Sequence, residues 1–559
     1  MKKNVLNIAA IVIALFGVGF GIGCLISLIS SKGSLADGEY RVTVCSTTDV
    51  HGAYFDSSYV DNVAVKTSLA QVSSYLKELR ESGVQPVLID AGDHLQGDNA
   101  AYYFNYVETT LAHVYPRIAA YLGYDAVVVG NHDIETGHDV YDRIVRELNV
   151  PYLAANAAFD RDENGTADMD ENPKNTAVSD SYFLPYCTVE RGGVKVAVIG
   201  MTNGNMKSWL SSTAWHGIDF QVISDIAQAL VDQVIAREKP QLVVLAVHSG
   251  TGADQPDREN EAQYLAASLR GVDLVLNGHD HRPLAREVEN AHGGSVVLLD
   301  AGSKAVVVGQ ADFTLTVKNG KVVAKAVDYK LVPMDKYPAD PAYSAMFRSD
   351  FEAVKAFARR PIGRLSEDIF LADALDGPSS YIDLVQTVQL ASTGADISFA
   401  APLSNSGMVP KGVIEFQDLV SIYKFENQLY VVELTGQQVK DYLEYSYDNW
   451  VNRSGPSYNW DSADGIRYEV SKSAPAGQRV KILSMNDGTA FDPGKTYKVA
   501  MTSYRASGGG DLLRNGAKVD PDSLTVLEKL KDIRSLIGDY IASREEIVPE
   551  VASNWKFVK

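Results

Sequence analysis

Five stretches place residues able to bind a hard or borderline metal ion directly after an apolar run. Asp49-Val50-His51 follows VTVCSTT, Asp93 follows VLIDAG, Asn131-His132 follow AVVVG, His248 follows LVVLAV, and His279-Asp280-His281 follow DLVLNG. Carboxylate and imidazole together suit zinc, manganese or iron-type ions rather than calcium. The D-x-H and H-x-H spacings let both members face one site from an extended turn. One histidine at a strand end reads as packing. Five such ends in this order read as a metal centre, because burying so many ionisable groups without a cation is very costly. All ten histidines lie at or before His292, so the acid–base chemistry belongs to the N-terminal part. His94, His113, His138, His216 and His292 fall outside this pattern and read as packing or surface residues.

Something must hold these ends together. From Tyr40 to about Lys330, short β-branched runs alternate with amphipathic stretches such as SLAQVSSYLKELRESG and DIAQALVDQVIAREKP. This alternation predicts an α/β sandwich with largely parallel strands. Carboxylates at the ends of such strands point into the crevice where open sheets bind ligands. SVVLLDAGSKAVVVGQADFTL predicts edge strands that close the sheet. Residues 337–363 predict a linker helix, entered after prolines, whose helical stretch (337–360) ends before Pro361. Residues 364–559, rich in tyrosine and glycine and without histidine, predict a second α+β domain that selects substrate.

The 559 residues are 46% hydrophobic and 22% charged, enough for at least two cored domains. A net charge of −20 excludes duplex nucleic acid as a partner, which needs a basic footprint. It does not exclude a small phosphate ester, because metal ions supply the positive charge. Of the three cysteines, none in a CxxC, Cys24 lies in the N-terminal apolar segment, and Cys45 and Cys187, on different strands, read as two free core thiols. Residues 4–31 carry no charge, with Lys2 and Lys3 before them and Lys32 after. Residues 1–36 therefore predict an export signal or membrane anchor, with the catalytic domain starting at residue 37, ending at 336, and lying outside the cytoplasm.

The order D-x-H, G-D-x-x-Q-G, G-N-H, H and G-H-x-H resembles the calcineurin-like metallophosphoesterases. Gln96-Gly97 resembles the 5′-nucleotidase branch. The resemblance implies a four-layer αββα catalytic domain with two divalent ions. It implies one ion on Asp49, His51, Asp93 and His281, and a second on Asp93, Asn131, His248 and His279. Asp93 would bridge, and His132 would stabilise the transition state or protonate the leaving oxygen. The carboxylate partner of that histidine lies three residues on, which here is Glu135, with Asp133 next door.

IYKFENQLYVVELTGQQVKDYLEYS (422–446) and YKVAMTSYRASGGGD (497–511) resemble the nucleotidase C-terminal domain. The resemblance implies a nucleotide substrate whose base is sandwiched by Phe425 and Tyr504 and contacted by Asn427. Typical 5′-nucleotidases carry an Asn-x-Gly-Gly-x-Arg stretch that contacts phosphate. SFAAPLSNSG (398–407) lacks that arginine and resembles the 2′,3′-cyclic-nucleotide 2′-phosphodiesterase and 3′-nucleotidase branch. 5′-Nucleotidase or nucleotide-sugar hydrolysis is the second expectation. Intact residues at all seven metal positions argue against a non-catalytic nucleotide-binding protein.

Residues 160–171 (DRDENGTADMDE) match a calcium-loop spacing at Asp160, Asp162, Asn164, Gly165, Asp168 and Glu171. Ala167 stands where a bulky apolar residue is usual, and neither flank reads as a helix. An acidic surface insertion fits these features better than a calcium site.

Overall fold

The computed structural model describes residues 35–559, apart from 60–62, 165, 169–179, 256 and 426. The expected leader lies almost wholly outside the described residues. Among those described, no helix is long and apolar enough to cross a membrane.

Alternation in the strands builds the core. In Val87–Asp90, Val87 and Ile89 face one way and Leu88 the other. The first set packs against Val198, Val244, Leu276 and Val297 of a second sheet. Leu88 packs outward against helices Leu69–Glu81 and Val114–Leu122. The second sheet is covered on its far side by helices Ile223–Glu238 and Ala262–Ser268. The result is a four-layer αββα sandwich of two six-stranded sheets.

The first sheet runs Lys321–Pro333, Val307–Lys318, Gly38–Thr47, Val87–Asp90, Ala126–Val128, Tyr152–Leu153. The second runs Leu284–Glu289, Ser295–Asp300, Leu274–Asn277, Leu242–Val247, Val194–Met201, Tyr186–Arg191. Gly38–Thr47, Val87–Asp90 and Ala126–Val128 pair in parallel, so their carboxyl ends emerge together. Leu242–Val247 and Leu274–Asn277 do the same in the second sheet. Every candidate metal-binding stretch leaves from one of these five ends.

The expected pair of edge strands takes another form. Ser295–Asp300 lies inside the second sheet, in parallel with Leu274–Asn277. The chain then crosses to the first sheet, where Val307–Lys318 lies between Gly38–Thr47 and Lys321–Pro333. An apolar run interrupted by Gly302 carries no mark of such a change of sheet.

The stretch after the sandwich forms two helices, Pro341–Met346 and Arg348–Ala358, that meet at Phe347. Phe347, Phe351 and Val354 join the catalytic core. Beyond them, a five-stranded sheet runs Ser462–Asp464, Ile397–Ala400, Thr496–Thr502, Gln428–Thr435, Val526–Asp532. Helix Gly436–Val451 packs on it, started by a capping box in which Thr435 and Gln438 satisfy each other's backbone N–H. The two halves touch where Tyr102 meets Phe416 (ring centroids 5.3 Å) and where the Ser507 hydroxyl donates to the Leu210 carbonyl (3.4 Å).

Candidate metal centre

Three of the five strand-end loops turn through backbone conformations that residues with a Cβ rarely adopt. Asp49 (φ 48°), His51 (47°), Asp93 (58°), His279 (89°) and His281 (57°) all lie in the left-handed region. Each such residue costs about 1–3 kcal/mol and persists only where its surroundings enforce it. Here the loops are locked by contact. A Cβ on Gly130 would lie 2.1 Å from Asp93 Oδ1, and one on Gly278 would lie 2.0 Å from Thr48 Oγ1 and 2.5 Å from Asp49 Oδ2. Asp133 ties two loops together, accepting from the backbone N–H groups of Asp93 (3.1 Å), His94 (3.0 Å), Leu95 (3.0 Å) and Gly130 (2.8 Å).

The side chains so placed form two adjoining clusters. In the first, Asp49 Oδ1 lies 3.2 Å from His281 Nε2 and 3.8 Å from His51 Nε2, and the two nitrogens are 2.9 Å apart. In the second, His248 Nε2 lies 3.1 Å from both Asp93 Oδ2 and Asn131 Oδ1, and Asn131 Oδ1 lies 2.9 Å from His279 Nδ1. Ligand atoms of Asp49, Asp93 and His248 also lie within 4.8 Å of one another, so the clusters share an edge.

The donor chemistry fits divalent ions. His248 Nδ1 lies 2.8 Å from the Ala91 carbonyl, and His51 Nδ1 lies 3.0 Å from the Gln96 carbonyl. A carbonyl only accepts, so Nδ1 carries the proton and Nε2 turns its lone pair into the site. Asp49 Oδ1 and Asp93 Oδ2 are buried there and accept no hydrogen bond. Lone pairs therefore face lone pairs across about 3 Å, an arrangement that requires a cation between them. Protons fill that role for the bare side chains. Burial disfavours a charged His248, yet Asp93 and Asp49 outweigh it and raise the imidazole to about 10. At His51 burial wins and lowers it to about 4.

The clusters open into a cavity of about 1090 Å³ between the two domains. The Phe425 ring lies parallel to His132 (centroids 6.3 Å, 8°), with Tyr458 edge-on to it at 6.1 Å. Tyr504 and Asn427 line the same cavity. One face of Tyr504 is covered by the Gly509 backbone, where a Cβ would come within 2.3–2.5 Å of ring atoms. The glycine run thus packs on the aromatic residue of its own domain.

Residues 42–283 match the calcineurin-like phosphoesterase family, and residues 361–514 match the 5′-nucleotidase C-terminal domain. The chain carries a calcineurin-like phosphoesterase domain followed by a 5′-nucleotidase C-terminal domain. It is 23% identical to the trifunctional nucleotide phosphoesterase YfkN of Bacillus subtilis, over 92% of this chain but 39% of that one. It is 24% identical to a 2′,3′-cyclic-nucleotide 2′-phosphodiesterase/3′-nucleotidase of Yersinia enterocolitica, covering 95% and 90% of the two chains. A solved Staphylococcus aureus structure, a candidate 5′-nucleotidase in complex with alpha-ketoglutarate, superposes with a TM-score of 0.76 at 20% identity, covering 93% of this chain and 100% of that one.

Glu135 Oε2 lies 2.5 Å from His132 Nδ1, whereas Asp133 is committed to backbone N–H groups. Burial works against a charged His132, but Asp93 and Glu135 outweigh it and raise the imidazole to about 9. Two residues around the centre carried no sequence signal. Trp209 stacks on His279 (5.3 Å, 15°), and Glu259 Oε1 lies 3.3 Å from His279 Nε2. Trp209 ends the short helix Met206–Trp209 and Glu259 lies in a loop, both outside the metal motifs. Arg505, beside Tyr504, is buried and held by Asp461 through Nε (2.9 Å) and Nη2 (2.8 Å), so it does not replace the absent phosphate arginine.

The 160–171 loop is tied by its own bonds. Asp160 Oδ1 accepts from the Asn164 N–H (3.0 Å), and Asp168 pairs with Arg161 (3.1 Å). Glu171 lies outside the described residues, and among those described the two three-residue groups with metal-binding geometry both lie at the centre above. Cys45 is buried, Cys187 half-buried, and both are free thiols.

Proposed function

We propose that this enzyme hydrolyses 2′,3′-cyclic nucleotides and 3′-nucleotides to nucleoside and phosphate outside the cytoplasm, delivered there by residues 1–36 as signal or anchor. The observation that carries the reading is the ring of Phe425, from the second domain, lying parallel to His132 of the first. It brings an apolar stacking surface and a phosphoester-cleaving centre into one cavity. Aromatic stacking accepts any base and contributes about 1–3 kcal/mol per base. The absent arginine in SFAAPLSNSG and the naming of the relatives favour cyclic and 3′-phosphates over 5′-phosphates.

In this reading Asp49, His51, Asp93 and His281 hold one zinc, manganese or iron-type ion, and Asp93, Asn131, His248 and His279 hold the other. Such a pair supplies positive charge to the phosphoryl transition state and lowers the pKa of the attacking water. The protein supplies the rest. Phe425, Tyr504 and Asn427 fix the nucleoside. The Asp93 carboxylate is oriented by the His132 N–H (2.8 Å). Glu135, accepting from Nδ1–H of His132, keeps that imidazole charged, so that Nε2–H protonates the leaving oxygen.

The test is phosphate release by the purified enzyme from 2′,3′-cyclic AMP with added phosphatase, 3′-AMP, 5′-AMP and UDP-glucose, with manganese, zinc or a chelator. Turnover of the first two, abolished by chelator, is expected. Preference for 5′-AMP or UDP-glucose would overturn the substrate assignment.

A further inference from the structure

Glu259 sits in the loop after Leu242–Val247, and its main chain is clamped. Its carbonyl accepts from Asn203 Nδ2 (2.9 Å) and Ser249 Oγ (2.8 Å), and its N–H donates to Asp257 Oδ1 (3.2 Å). The side chain is thereby aimed into the interdomain cavity, which it lines together with Phe425, Tyr458 and Tyr504. One carboxylate oxygen, Oε1, meets His279 Nε2 at 3.3 Å. An acid serving only to orient a histidine would be expected to be as buried as its partner. Here the Glu259 side chain is 45% exposed against 16% for His279, and the exposed part faces the cavity. Its charge also reaches the aromatic end: burial raises the Tyr458 and Tyr504 hydroxyls, and Glu259 adds to both.

Glu259 therefore stands between the centre that takes the phosphate and the rings that take the base. The sugar of a bound nucleotide lies between those two ends. A carboxylate there accepts hydrogen bonds from hydroxyls and repels a further phosphate. We propose that Glu259 is a specificity-determining residue that accepts a hydrogen bond from the ribose hydroxyl adjacent to the scissile phosphate, through the oxygen not engaged by His279. This rests on the 3′-nucleotide reading above. It makes the enzyme selective for ribonucleotides and averse to a second phosphate on the neighbouring oxygen.

The test compares wild type and Glu259→Gln, both manganese-loaded, on 3′-AMP, 2′-deoxy-3′-AMP and p-nitrophenyl phosphate. The glutamine keeps an acceptor for His279 and removes the charge. Wild type should prefer 3′-AMP over its deoxy analogue by about 10–100-fold in kcat/KM, the effect of one hydrogen bond to a charged group. In Glu259→Gln that ratio should shrink to about a tenth of its wild-type value or less, since a neutral acceptor is the weaker partner. p-Nitrophenyl phosphate, which has no sugar hydroxyl, reports what the altered His279 contact costs by itself. Equal losses on all three substrates would mean that Glu259 only orients His279, and would overturn the proposal. So would a wild type that uses both nucleotides equally, although the 3′-nucleotidase reading would then survive. A wild type that turns over neither nucleotide would overturn both.

Discussion

Gly130→Ala isolates the contact on which the centre depends. Gly130 has an ordinary extended backbone, φ −97° and ψ 173°, so alanine brings no conformational strain. Space is the issue. The new Cβ would sit 2.1 Å from Asp93 Oδ1, 2.4 Å from Asp93 N and 2.8 Å from Asp93 Cγ. Ordinary contact begins near 3.4 Å, so the Asp93 loop must retreat by about 1 Å, and backbone cannot rotate aside as a side chain can. A displacement of about 1 Å at reacting groups costs on the order of 100-fold in rate. Asp93 faces both clusters, so the loss should fall on both ions together. Isothermal titration with manganese, turnover of p-nitrophenyl phosphate and a thermal melt should be run on one preparation. The expected result is kcat/KM down at least about 100-fold, weakened binding at two sites, and a cooperative melt. A variant that binds two ions normally and keeps its rate within about threefold would refute the reasoning about loop packing.

Other consequences are as specific. Glu135→Gln removes one of the two carboxylates that hold His132 charged, so the imidazolium is lost at lower pH. The basic limb of the kcat–pH profile for 3′-AMP should move down by about one pH unit; an unmoved limb would exclude this pairing. Phe425→Ala or Tyr504→Ala should lower kcat/KM for 3′-AMP by about 10–100-fold, the worth of one base stack, and should affect p-nitrophenyl phosphate far less. Equal losses would make the rings structural. Asp383, whose carboxylate accepts from the Ala552 N–H (2.8 Å), is raised to about 6 by burial. The folded state thus holds a proton there that the unfolded chain releases near pH 4, and stability falls as pH rises from about 4 to 6. Asp383→Asn should therefore stabilise the protein by about 2 kcal/mol at pH 8 and by little at pH 4. Urea melts at the two pH values give the comparison, and an equal difference at both would reject it.

What the sequence disclosed follows from how local each signal is. Asp49, His51, Asp93, Asn131, His248, His279 and His281 were legible because each stands just past an apolar run, and parallel strands align their carboxyl ends. His132 and Glu135 were legible as a pair three residues apart, but only the fold showed that Asp133 is spent on four backbone groups. Gly130 and Gly278 were legible only as letters of the G-N-H and G-H-x-H stretches, without a physical reason for glycine. Their need arises from a neighbouring loop distant in sequence. Glu259 lies in a loop and Trp209 at the end of the four-residue helix Met206–Trp209, too short to show a periodicity, and their place beside His279 exists only once the second sheet has formed. The change of sheet after Asp300 was hidden because the residues on either side of it are equally apolar.

That change of sheet has a consequence for how the chain matures. Gly38–Thr47 is an inner strand, and one of its two neighbours, Val307–Lys318, lies some 270 residues later, with Gly38 opposite Val317. Until that segment has been made, one side of the strand is an open row of backbone donors and acceptors. Pairing of such high contact order forms late and slowly. The strand therefore stays unpaired on one side for most of the domain's emergence, and the strand ends that carry the candidate metal-binding residues settle into place only after the last strands have paired.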